Sequence, residues 1–149
     1  MSDRKIFEYS LQDAWNRPIS GFTILRDQKN TVLFSVQQDD ADIYPPPEIK
    51  SVEICNEAMD KVKNIITESR AFEIDDVEDN MDVFCLDGVI NVFYISNENK
   101  INTVEAFNLA TYKPYKQKYP KAYKLIKLLK NLSKVLVPEG VDKRCFNLE

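Results

Sequence analysis

Residues 119–136 read YPKAYKLIKLLKNLSKVL. On a helical wheel Ala122, Leu125, Leu128, Leu129, Leu132, Val135 and Leu136 share one face, with Lys124, Lys127, Lys130 and Lys134 on or beside the opposite one. That spacing is the 3.6-residue period of a helix that buries an apolar stripe and solvates the rest. A second stretch, residues 51–67, has the same period: Cys55, Ala58, Met59, Val62, Ile65 and Ile66 line one side. Its start is ambiguous. SVEIC, residues 51–55, also alternates like a strand, and Asn56 would then cap a helix beginning at Glu57.

Between and before these helices the chain reads as strands. Residues 5–9 form a short one. Gly21–Arg26 and Thr31–Gln38, rich in β-branched and aromatic residues and joined by the turn residues DQKN, read as a hairpin. Val32, Phe34 and Val36 alternate with Thr31, Leu33 and Ser35, which gives one buried face. The three prolines of residues 45–47 make the next connection a rigid loop. Residues 83–86, 89–96 and 102–109 read as further strands, with Asp87-Gly88 as a tight turn and NENK, residues 97–100, closing a hairpin. Neither strand of that hairpin alternates cleanly, so periodicity assigns it no buried face. Pro138 ends the last helix, and the tail VDKRCFNLE shows no periodicity.

Hairpin, connector, amphipathic helix, then the same again, predicts one α+β domain over residues 1–149. Its antiparallel sheet is built from two hairpin units, with both helices packed on one face. A chain of 149 residues with 44% hydrophobic and 30% charged content is the size and composition of one such domain. The N-terminal MSDRKIFEYS has no signal-peptide core, and no stretch approaches the roughly 20 apolar residues of a membrane span, so a cytoplasmic protein is expected. Cys55, Cys85 and Cys145 are odd in number and widely spaced, which favours reduced thiols over a disulfide scaffold or a zinc site.

The chain has no histidine. It therefore lacks the commonest general base near neutral pH and the commonest metal ligand. Ser-His-Asp and Cys-His mechanisms cannot be assembled from it. Its glycines, Gly21, Gly88 and Gly140, stand singly, which excludes the known phosphate-cradling loops. The acidic stretch EIDDVEDNMD, residues 73–82, fails the calcium-loop pattern, because Met81 stands where the turn needs glycine. No cofactor is expected. A carboxylate-dependent enzyme would have to draw on Asp87 and Glu105, the acids embedded in the apolar second hairpin, in the concavity of the sheet.

Charge is divided unevenly along the chain. Residues 1–100 hold 10 Lys/Arg against 20 Asp/Glu, a balance of −10; residues 101–149 hold 10 against 4, a balance of +6; together they give the net −4. Residues 112–134 interleave tyrosines with lysines and contain no arginine. Tyrosine provides large contact area with a polar tip, and a lysine face attracts anionic surfaces. Non-catalytic binding of another protein, or self-association, is the function this pattern favours. The surface would comprise Tyr112, Tyr115, Lys116, Tyr119, Lys127 and Lys130. A small ligand held by the sheet is the alternative. Nucleic acid on the basic helix ranks lower, for want of the arginines that combine phosphate contact with stacking.

Overall fold

Six strands make a single antiparallel sheet in the computed structural model, which describes residues 4–13, 18–36, 48–74, 90–97, 100–107 and 120–147. In chain order these are β1 (Arg4–Gln12), β2 (Pro18–Arg26), β3 (Thr31–Ser35), β4 (Lys50–Glu53), helix α1 (Asn56–Glu68), a 3-10 turn (Ala71–Glu73), β5 (Ile90–Asn97), β6 (Lys100–Phe107), helix α2 (Pro120–Leu136) and a second 3-10 turn (Lys143–Phe146). The strand order is β4-β3-β2-β1-β5-β6. An antiparallel sheet with two helices is the α+β class expected from the sequence. The strands form a four-strand meander joined through β1 to the β5–β6 hairpin.

β1 is longer than residues 5–9 and is bonded on both sides, to β2 and, across most of the chain, to β5. It supplies the middle of the core. One cross-strand row runs Phe34, Phe22, Tyr9, Phe93, Val104, and the next runs Val32, Ile24, Phe7, Ile95, Asn102. The rings pack closely, Phe7 stacking on Phe22 at 5.6 Å and Tyr9 lying 5.0 Å from Phe93. Such aromatic pairs each contribute about 0.5–1.5 kcal/mol beyond the area they bury. A register jump between Lys5 and Phe7 lets Ile6 also turn inward. That bulge explains why the start of β1 does not alternate.

Both helices give their apolar stripes to this face. Ala58, Met59, Val62 and Ile66 of α1 are buried with Ala122, Leu125, Leu128, Leu129, Leu132 and Leu136 of α2 in one cluster with the sheet residues. Ile126, which the wheel left out of the stripe, is buried as well, and Val135 only partly. The ambiguity at residues 51–55 resolves into a strand followed by a helix whose cap is Cys55, one residue before the expected Asn56. The Cys55 sulfur accepts the Ala58 amide at 3.4 Å. The Cys55 amide and thiol both donate to Glu139 Oε1, at 3.1 and 2.9 Å, and these bonds hold the Glu139 carboxyl below its usual range. The turn after α2 is thereby tied to the start of α1.

The aperiodic tail is part of the core. Val141, Cys145 and Phe146 are buried, and the Phe146 ring lies 4.6 Å from that of Phe22. Asn147 adopts a left-handed conformation (φ 52°) and donates from Nδ2 to Ser20 Oγ at 2.9 Å and to the Tyr9 hydroxyl at 3.3 Å. A four-residue 3-10 turn is too short to show a period, so only its position in the fold reveals it.

Burial also sets how the fold responds to alkali. It pushes the Tyr9 hydroxyl from 10.0 up to about 12, and burial together with the Asp142 charge pushes the Cys145 thiol from 9.0 up to about 12. Both groups stay protonated in the native state while the unfolded chain loses the protons, so stability falls as pH rises through that interval. The urea midpoint should hold at pH 8 and decline steadily above pH 9; a midpoint flat to pH 11 would show that neither group is held neutral.

Candidate functional site

The leucine stripe of α2 is committed to the core, and this fixes where its lysines go. Lys121, Lys124, Lys127, Lys130 and Lys134 are all exposed. Ten residues separate Lys124 from Lys134, so at a helical rise of about 1.5 Å per residue they span about 15 Å. The 17 residues of α2 contain no Asp or Glu. Among the described residues Lys124, Lys127, Lys130 and Lys134 have no ion-pair partner. Like charges three and four residues apart on a helix repel by about 0.2–0.5 kcal/mol per pair, and an acidic residue placed between them would remove that cost. Lys134, in the last turn, is favoured by the helix dipole; Lys124 and Lys127 have no such compensation.

Of the surface expected from the sequence, Lys127 and Lys130 are on this ridge. Tyr112, Tyr115, Lys116 and Tyr119 lie outside the described residues. Tyr123, in the first turn of α2, is half-buried. Of the two acids considered for carboxylate chemistry, Asp87 lies outside the described residues, as do Cys85 and most of the acidic stretch. Glu105 is exposed on β6, opposite Val92, on the face of the sheet away from the core. No three His, Cys, Asp or Glu side chains converge as metal ligands among the described residues. No helix among them is long and apolar enough to cross a membrane.

The buried polar groups among the described residues form a structural network. Tyr9 donates to Asn91 Oδ1 at 2.7 Å, and Asn91 Nδ2 donates to the Ala106 carbonyl at 3.1 Å. With Ser20 and Asn147 these groups form a chain in which each finds a partner, and no buried side-chain N or O among the described residues is left unsatisfied. Buried polar groups of this kind fix a unique arrangement of the core. Each is turned toward another part of the core, so they read as packing rather than as a substrate site.

Sequence reasoning missed a second basic feature. Arg4 and Arg26 face each other across the β1–β2 ladder, and Lys63 of α1 lines the same cleft. Positions 4, 26 and 63 share no motif or period; the register of the sheet brings 4 and 26 together, and the packing of α1 adds 63. No family model matches this chain, and no curated protein sequence matches it.

Proposed function

We propose that this protein acts by non-catalytic binding of another protein, through the lysine ridge of α2, and that the complementary surface is acidic. The observation that supports this is the set of four exposed lysines on one helix face with no carboxylate in the helix and no ion-pair partner among the described residues. Charge complementarity of this kind steers encounter and selects partners more than it adds affinity. Tyr112, Tyr115, Lys116 and Tyr119, which directly precede α2 in sequence, would extend the ridge with aromatic contact area. We place the protein in the cytoplasm; Cys55 and Cys145 are free thiols, as a reducing compartment would leave them.

The test compares the native chain with a Lys127→Glu/Lys130→Glu variant in capture from native lysate, at two salt concentrations. Both positions are exposed, so folding should be unchanged to within about 0.5 kcal/mol. The expected result is a protein held by the native chain, released as salt rises and lost by the variant. Retention of the same proteins by both would overturn the ridge as the binding surface. Retention of nucleic acid in place of protein would reassign the ridge to a polyanion.

A further inference from the structure

A cleft of about 270 Å³ opens where the start of β1 and the end of β2 meet α1, lined by Arg4, Arg26, Lys63, Thr67, Phe72 and Ser96 among others. Three cationic and two hydroxyl-bearing residues line it, and among the described residues no carboxylate does. Arg4 and Arg26 are direct cross-strand partners, an arrangement in which like charges oppose folding. Among the described residues none of the three cations has an ion pair or hydrogen bond.

The obvious structural task for cations here would be to neutralise the C-terminal carbonyls of α1. Three of the last four, those of Ile65, Ile66 and Thr67, are already occupied. Ser69 N–H donates to Ile65 O at 3.0 Å, Ser69 Oγ donates to Ile66 O at 2.6 Å, and Arg70 N–H donates to Thr67 O at 3.2 Å. The three cations therefore line a cleft without a partner among the described residues.

We propose that this cleft binds a dianionic phosphate, either free or as the phosphate of a small phosphorylated molecule. Two guanidinium forks match phosphate oxygens in pairs, and the lysine adds a point charge. The Thr67 and Ser96 hydroxyls are further donors at the same cleft. Phe72 gives an apolar wall for a carbon body. The volume is just below the usual range for small-molecule pockets, about 300–1,000 Å³, which suits a phosphate with a short organic group. This site is on different elements from the α2 ridge and does not depend on it.

The experiment is calorimetric titration with inorganic phosphate and, separately, with phenyl phosphate, at constant ionic strength set by sodium chloride. Saturable binding is expected, and Arg4→Gln/Arg26→Gln, which removes both guanidinium forks, should weaken it by more than the roughly tenfold that losing a single charge-assisted hydrogen bond would cost. Tighter binding of phenyl phosphate assigns the site to a phosphate ester, and equal binding assigns it to free phosphate. The ligand-free double variant should melt no lower than the native protein, because a like-charge pair has been removed. If it melts lower, the single Lys63→Gln variant decides, and it too must weaken binding. Absence of saturable heat, or titration curves unchanged by these substitutions, overturns the proposal. The Lys127→Glu/Lys130→Glu variant should bind phosphate as the native chain does, so the two readings fail separately.

Discussion

Replacing Phe146 by alanine is expected to cost about 3–5 kcal/mol, the range for deleting a fully buried aromatic ring. The ring is 0% exposed and packs against Phe22, which is itself in the aromatic row through Tyr9 and Phe93. Removing it takes away the transfer energy of the ring and leaves a cavity between the sheet and the closing 3-10 turn. Set against a total stability of about 5–15 kcal/mol for an ordinary domain, that loss brings the protein close to unfolding. A matched control is Ile49→Ala, also a large apolar residue but 71% exposed, where a change within about 0.5 kcal/mol is expected. Urea denaturation with unchanged slope would give both values. A Phe146→Ala cost below about 1 kcal/mol would mean that the tail rests on the core without completing it.

The contrast between α2 and this tail shows what a sequence reveals. Seventeen residues of α2 carry more than four turns of a period, and its buried face could be read almost residue by residue. Phe146 is in a single turn of four residues, where no period exists, and its burial follows only from where the chain returns. β1 was under-read for a related reason. Its bulge at Ile6 and its partner β5, more than eighty residues away, are properties of the sheet rather than of the strand. The cap of α1 was missed by one residue because cysteine is a rare cap, and its role depends on Glu139 arriving from the far end of α2. The same division holds for the candidate sites. The lysine ridge of α2 is visible in spacing alone. The phosphate cleft is not, because only the β1–β2 register puts Arg4 opposite Arg26 and only α1 packing adds Lys63.

Asn91→Asp should be the second most damaging change, and its cost should grow with pH. β5 resisted a facing assignment because Asn91, the polar residue, is 3% exposed, whereas Val92 and Tyr94 are on the less buried side. Its amide is used at both ends, accepting from Tyr9 at Oδ1 and donating from Nδ2 to the Ala106 carbonyl. Aspartate keeps the shape and the bond from Tyr9, but presents an acceptor to the Ala106 carbonyl. If ionised, it is a buried charge without a cation among the described residues, a situation that costs about 3–5 kcal/mol. If protonated, its O–H can donate to Ala106 and restore most of the lost bond. The folded state therefore raises the pKa of this carboxyl above its unfolded value of about 3.9. Stability of the variant is fully present below that value and is lost as pH rises through the folded pKa. The native protein changes in the opposite sense in acid. Hydrogen bonds hold the Asp27, Glu139 and Asp142 carboxyls below their usual range, so their contribution is lost as pH falls through the depressed values. The informative quantity is thus the difference between variant and native protein at each pH. That difference should be small at pH 4 and reach several kcal/mol at pH 8. A gap of equal size at both would mean that water reaches position 91, and that the Tyr9–Asn91–Ala106 bridge does not define this end of the core.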